Sequence, residues 1–300
     1  MENRLGLRPK ILLTGSSGFL GNLIAYYNSE NIILTLNRSK GNFICDLGIS
    51  VPNFNSNFDI VIHNAGKAHS IPKTEEEKLS FFQVNVLGTK NLLKGLETKI
   101  PKQFVYISSV SVYGLEYGEN IDEVTLIKAK DPYGLSKIQA EQLVLDWCDQ
   151  HNVICTILRL PLLVGKNPPG NLGAMIRAIQ KGYYFNIGGG KAKKSMVLAE
   201  DVACFIPVIA PIGGIYNLTD GVHPTFKELS TAIAKKKMFN LPLPLVRIMA
   251  KIGDLLGNKA PLNSMKIKKI TSDLIFDDSK AREKGWNPQS VLEYLKYNDL

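Results

Sequence analysis

The sequence predicts a doubly wound α/β fold, a parallel sheet with helices on both faces, joined to a smaller, interleaved C-terminal lobe. Three observations carry that prediction. Short β-branched runs alternate with helical stretches through the first half of the chain. Those runs are apolar almost throughout rather than at every second residue. A glycine-rich turn joins the first run to the first helix. Strands covered by helices on both sides lose the in–out alternation, so continuous apolar runs point to a parallel sheet.

The candidate strands are 10–14, 32–36, 42–46, 60–63, 104–108 and 154–159. Helical stretches fall between them at 20–29, 78–97 and 133–150. Such an alternation places ligands at the carboxyl ends of the strands. After Arg159 the texture changes: Pro161, Pro168, Pro169 and Gly170 mark one loop, and Gly182 with Gly188, Gly189 and Gly190 marks another. Helical stretches at 172–181, 225–237, 242–256 and 279–285 lie among them. We read 1–165 as the sheet domain and 166–300 as the second lobe, with a strand near 213–218 returning to the main sheet.

Three hundred residues, 45% of them hydrophobic, suffice to bury a sizeable core. The four cysteines form no CxxC pair and no metal-ligand spacing with the four histidines, which reads as reduced thiols in a cytoplasmic protein. The first nine residues lack the apolar core of a secretory signal. No run reaches the roughly 18 apolar residues of a membrane span; the nearest, 205–215, is interrupted by Pro207 and Pro211. A formal charge of +9 fits nucleic acid, an acidic membrane surface or a phosphorylated small molecule. No aromatic stacking platform supports nucleic acid. The 243–256 stretch sets Leu245, Ile248, Met249, Ile252 and Leu256 on one helical face, with Arg247, Lys251 and Asp254 opposite. The expectation is an amphipathic helix with that apolar face turned to the core.

The turn reads Thr14-Gly15-Ser16-Ser17-Gly18-Phe19-Leu20-Gly21. Gly15 permits the tight turn, Gly18 lets backbone approach a pyrophosphate at the helix N-terminus, and Gly21 lets the helix pack on its strand. Free N–H groups at the helix start stabilise the phosphates. Strand, glycine turn and helix together indicate a Rossmann-type dinucleotide domain, with Ser17, Phe19 and Leu20 completing the loop. An acidic residue after the second strand would favour NAD; here Asn37 and Arg38 stand there, and a guanidinium suits a 2'-phosphate. The cofactor is therefore NAD or NADP, with Arg38 tilting to NADP. Asp46, followed by Leu47, could accept from the adenine amino group or cap a helix.

Tyr133 and Lys137 stand four apart, on one face of a helix. An ammonium near a phenol favours the phenolate and draws its pKa down from about 10. Such a tyrosine can move a proton at a sugar hydroxyl. Ser109, at the carboxyl end of the fifth strand, can orient the reacting oxygen.

Taken in order, TGSSGFLG at 14–21, HNAG at 63–66, NVLGTKNLL at 85–93, SSVSVYG at 108–114, YGLSK at 133–137, LRLP at 158–161 and DDSKAREKGWNP at 277–288 resemble the extended short-chain dehydrogenase/reductases of the NAD-dependent epimerase/dehydratase family, which modify nucleotide sugars. The resemblance implies Tyr133 as catalytic acid/base, Lys137 as its support and nicotinamide-ribose ligand, and Ser109 as the catalytic serine. It implies that Ala65 and Gly66 line the cofactor phosphates, that Asn85 braces the site and that Pro161 packs by the nicotinamide. His69, Ser111, Asn171 and Lys194 fall to the substrate, and a homodimer is the family expectation. Val110 and Ser111 stand where dehydratases of the family carry Asp-Glu, so dehydration is not expected. Lys194 replaces a family arginine, and Lys266, Lys268 and Lys269 stand around the place of another, giving up its bidentate fork. The expected function is oxidoreduction at the C4 carbon of a nucleotide sugar, as 4-epimerase or 4-keto reductase. The alternative is a non-catalytic NAD(P)-binding regulator of the same fold.

Overall fold

The computed structural model describes residues 8–68, 72–255 and 263–298. In chain order the strands are β1 (Lys10–Thr14), β2 (Ile32–Asn37), β3 (Phe43–Ile44), β4 (Ile60–His63), β5 (Gln103–Ser109), β6 (Gly118–Ile121) and β7 (Ile154–Leu160). They continue with β8 (Leu162–Val164), β9 (Asn186–Ile187), β10 (Met196–Leu198), β11 (Gly214–Asn217), β12 (Asn240–Leu241) and β13 (Leu274–Phe276). The first helices are α1 (Phe19–Tyr27), α2 (Glu75–Phe82), α3 (Gly88–Leu96), α4 (Pro132–Gln150), α5 (Gly170–Gln180) and α6 (Ala199–Ile209). Then come α7 (Phe226–Ala234), α8 (Leu243–Leu255), α9 (Ser264–Thr271), α10 (Ser279–Arg282) and α11 (Val291–Tyr297).

Seven strands form one parallel sheet in the order β11-β7-β5-β4-β1-β2-β3. The order reverses between β1 and β4, and that switch point opens a crevice at their carboxyl ends. Alternate strand residues feed two cores. Ile11, Leu13, Ile62 and Val105 pack under α1 and α6, whereas Leu12, Val61, Phe104 and Tyr106 pack under α3 and α4. Burial on both faces is the reason the strands read as continuous apolar runs. β11 returns from the second half to pair with β7, from Gly214 opposite Thr156 to Asn217 opposite Arg159.

The predicted helix 78–97 is interrupted. A π-helical turn, Gln83–Leu87, separates α2 from α3 and buries Asn85; single π turns of this kind recur at functional sites. The sequence reading also missed α6, because Pro207 sits inside it. Proline offers no N–H to the carbonyl four residues back, and here Ala203 O accepts instead from Asn28 Nδ2 of the neighbouring α1 end, at 3.2 Å. A side chain from another element thus repairs the gap.

Outside the seven-stranded sheet lie short strand pairs, β8 with β10, β9 with β12 and β6 with β13, and the helices α5, α7 and α11 around Leu172, Leu229 and Leu295. Helix α8 corrects an expectation. It buries Val246 and Ala250 against Ile267 of α9, and leaves Leu245, Ile248 and Met249 exposed; Leu256 lies outside the described residues. Alanine and glycine on the buried side let α9 come close, so the bulkier apolar side is turned away. Among the described residues, no helix is long and apolar enough to cross a membrane.

Candidate active site

The glycine loop leaves β1 with Gly15 at φ +68°, a conformation that favours glycine. A Cβ on Gly15 would stand 2.8 Å from the Ala65 backbone, and one on Gly21 would stand 2.1 Å from the Gly15 carbonyl oxygen. Gly21 therefore serves the closure of the turn. Gly18 caps α1 without a side-chain hydrogen bond, so the first N–H groups of the helix face outward.

They face a groove of about 720 Å³. Of the predicted cofactor residues, Gly15, Ser17, Gly18, Arg38, Asp46, Leu47, Ala65 and Gly66 line it. Leu20 and Phe19 belong to the core beneath α1 instead. Asn37, in the place of the ribose-binding acid, lines the groove as well, as do Asn64, Lys67 and Gln83, which the sequence did not single out. Asn37 gives both N–H donors to the loop, to Ser16 Oγ at 2.8 Å and Lys40 O at 2.9 Å, which leaves its carbonyl oxygen as what it can offer a ribose. Asp46 accepts from Gly48 N at 2.9 Å, so one carboxylate oxygen shapes its own turn and the other remains to face the groove. Exposed glycine-loop amides, a cleft flanked by glycines and a guanidinium at its mouth fit an anionic dinucleotide.

A buried polar chain supports this wall. Ala65 N donates to Thr14 Oγ1 at 3.0 Å, and Thr14 Oγ1 meets His63 Nδ1 at 2.8 Å. Thr89 Oγ1 lies 2.9 Å from His63 Nε2 and gives its only proton to Asn85 O at 2.6 Å. Nε2 must then carry the ring proton, and Nδ1 accepts from Thr14. Full burial, helped by the nearby Lys137 charge, lowers the His63 pKa to about 3, so the ring is a neutral connector.

At the other end, α4 begins with Asp131 accepting from Gly134 N at 3.0 Å and Pro132 in the first turn, a favoured helix start. Its buried face carries Lys137, Ser136 and Glu141. Lys137 Nζ donates to Ile107 O at 2.8 Å and Tyr106 Oη at 3.2 Å, and lies 4.7 Å above the Tyr106 ring. A Cβ on Gly66 would stand 3.4 Å from that ammonium, so Lys137 reaches the groove wall. Burial lowers its pKa to about 8. Asn85 Nδ2 holds Ser136 Oγ at 2.9 Å and Lys67 O at 3.1 Å, while its Oδ1 accepts from Lys67 N at 2.7 Å. The π turn thus ties the groove wall to α4.

Tyr133 departs from expectation. Burial raises its pKa, a hydrogen bond with the Ser109 side chain lowers it in part, and Asp131 adds to the rise. The expected pull of Lys137 does not prevail, because that ammonium is spent on Ile107 O and Tyr106 Oη. Ser109 accepts from Ser111 N at 3.2 Å and donates to Ser111 Oγ at 3.1 Å. Tyr133, Ser109 and Ser111 are thus brought together, Lys137 is held two residues earlier on the same strand at Ile107 O, and Pro161 follows β7 on the same carboxyl edge.

The remaining predicted substrate residues are dispersed. Asn171 is exposed in the first turn of α5. Lys194 Nζ donates to Lys269 O at 3.0 Å and Ser272 O at 2.9 Å. It caps the end of α9, where carbonyls lack partners, and burial lowers its pKa to about 8. His69 lies outside the described residues.

One further pair was missed. Glu141 and Arg159, each side chain almost fully buried, meet with Arg159 Nη2 at 2.8 Å from Glu141 Oε2 and Nε at 3.2 Å from Oε1. Ser108 Oγ also hydrogen-bonds Glu141 Oε1, and Arg159 Nη1 donates to Tyr113 Oη at 3.1 Å. The signal in the sequence was a charge four residues past Lys137 and another inside an apolar strand, since buried charges require partners.

The sequence profile of the NAD dependent epimerase/dehydratase family matches residues 11–218. The chain belongs to that family. Within it, the chain is 33% identical to the GDP-6-deoxy-D-mannose reductase of Pseudomonas aeruginosa, over 76% of this chain and 80% of that one. It is 27% identical to the N-acetyl-alpha-D-glucosaminyl-diphospho-ditrans,octacis-undecaprenol 4-epimerase of Escherichia coli O157:H7, over 93% and 91% of the two chains. The UDP-glucose 4-epimerase of Thermus thermophilus, solved in complex with NAD, superposes with a TM-score of 0.71 at 20% identity over 96% of both chains. This epimerase/dehydratase family member therefore shares its fold with an NAD-bound structure, and it is an NAD(P)-dependent enzyme by family.

Proposed function

We propose that the protein is an oxidoreductase acting at the C4 carbon of a nucleotide-activated sugar, with Tyr133 as the proton carrier. The observation behind this reading is the hydrogen bond of Tyr133 with Ser109 at the carboxyl end of β5, the strand whose Ile107 carbonyl holds Lys137 beside Gly66 of the groove wall. Nicotinamide, when bound, supplies or removes the hydride. Gly15, Ser17 and Gly18 would hold the dinucleotide's phosphates through backbone amides, and Lys137 its ribose. Ser109 and Ser111 orient the sugar oxygen. Tyr133, kept protonated by burial, gives its proton to a C4 carbonyl oxygen as that carbon is reduced, or takes it back in the oxidising direction. The hydrogen bond from the Ser109 side chain, which lowers the Tyr133 pKa against the effect of burial, eases phenolate formation.

Arg38 at the groove mouth favours NADP over NAD, and with it net reduction of a 4-keto sugar. Similarity to 4-epimerases supports a second reading, in which the keto sugar is re-presented and reduced on its other face. We read 166–300, apart from the returning strand, as the lobe that closes on the sugar. A panel of UDP- and dTDP-sugars with their 4-keto forms separates the two: NADPH consumption identifies the reductase, isomer exchange without net redox change the epimerase. The variant Tyr133→Phe should lose about 10²–10⁴-fold in turnover while still binding dinucleotide. Equal turnover by variant and wild type would overturn the chemistry and leave a dinucleotide-binding regulator.

A further inference from the structure

The net charge of +9 is not spread over the chain. Residues 235–272 contain nine Lys and Arg against the single acid Asp254, so the other 262 residues are almost neutral. This segment includes α8 and α9, with exposed Lys236, Lys237, Arg247, Lys251, Lys268 and Lys269 among its described residues. Only part of it turns towards the rest of the molecule, as where Lys268 Nζ sits 4.6 Å above the Tyr117 ring.

The same unit carries a half-exposed apolar side. Leu245 is 50% exposed, Ile248 59% and Met249 48%, whereas Val246 and Ala250, on the side of α8 that packs on α9, are each 1% exposed. Ahead of α8, Phe239 is 73% exposed, and its carbonyl accepts from Asn186 N at 2.8 Å. The parallel register of β9 and β12 then continues to Phe185, also exposed. Aliphatic and aromatic side chains beside a dense set of cations are what an anionic lipid surface accepts: the apolar groups enter the headgroup–acyl boundary and the cations meet phosphates. A nucleic acid would satisfy the cations and leave the aliphatic side chains in water. A second copy packed about a two-fold axis would set two such positive segments against each other.

We propose that α8, α9 and the Phe239 segment ahead of β12 form a peripheral docking surface for an anionic bilayer, with Leu245, Ile248 and Met249 inserted and Lys236, Lys237, Arg247 and Lys251 on the headgroups. The surface lies outside the dinucleotide groove, and the proposal is independent of the C4 chemistry. Its test is co-sedimentation of the full chain with vesicles of phosphatidylcholine alone or mixed with phosphatidylglycerol, at low and high salt, alongside light scattering. Wild type should pellet with the mixed vesicles only, and less so as salt rises. The double variants Ile248→Asp/Met249→Asp and Lys236→Glu/Lys237→Glu should each bind about ten-fold more weakly with unchanged thermal melts. Failure of wild type to pellet with mixed vesicles at low salt would overturn the proposal. So would equal binding by the aspartate variant, or a wild-type dimer that this variant splits. Should one variant fold poorly, the other and the salt series still decide.

Discussion

Helix α4 buries Ser136, Lys137 and Glu141, whereas α8 leaves Leu245, Ile248 and Met249 in contact with solvent. Both depart from the ordinary inside–outside partition, in opposite senses. In α4 the buried Ser136, Lys137 and Glu141 each have a partner, Asn85 for Ser136, Ile107 O and Tyr106 for Lys137, Arg159 and Ser108 for Glu141, and the Trp147 indole N–H is left without one among the described residues. Tertiary hydrogen bonding offsets the desolvation of α4, and the helix is consequently fixed in one position. In α8 the apolar side is offset by nothing among the described residues. One helix has its partners built in; the other presents a surface that still gains by covering.

The largest effect should come from breaking the α4 arrangement. Glu141→Ala strands the Arg159 guanidinium in the core, and unfolding measurements should show a loss of roughly 3–5 kcal/mol. A loss below ~1 kcal/mol would mean that the pair is not what holds α4 to β7.

The second test uses pH. Burial lowers the folded-state pKa of Lys137 to about 8, below the ordinary ~10.5 of the unfolded chain. Between these values the unfolded state binds more protons, so stability rises with pH across that window, and the full penalty remains below it. Relative to Lys137→Met, wild type should gain up to roughly 3 kcal/mol from pH 8 to 10.5. Lys194 titrates in the same range but is common to both proteins. Parallel stability curves would show that the ammonium is hydrated rather than buried.

The third test contrasts the two sides of α8. Val246→Asp places a charge against Ile267 and should cost about 3 kcal/mol or more, while Ile248→Asp should change stability by no more than ~0.5 kcal/mol. Equal costs would mean that Ile248 is covered in the folded chain, and the contrast with α4 would disappear.

Much of the groove was legible because its parts are local. Gly15, Gly18 and Gly21 occupy one turn, and Tyr133 and Lys137 one helix face, so spacing alone brings them together. Periodicity turned the Leu245, Ile248 and Met249 face of α8 to the core, whereas the side that packs is that of Val246 and Ala250 against Ile267 of α9. Helix α6 was hidden because the carbonyl freed by Pro207 finds its donor in Asn28, 175 positions away by the hydrogen bond to Ala203.

Taken alone, the sequence determined the parallel sheet and the glycine turn, which follow from backbone sterics and short-range periodicity, and it named the serine, tyrosine and lysine of the proposed chemistry by family resemblance. Only the tertiary structure decided the neutral tautomer of His63, the high pKa of Tyr133, the salt bridge of Glu141 with Arg159 and the outward side of α8. Those properties depend on burial and on partners distant in the chain, and desolvation by neighbours that no local pattern encodes sets each of them.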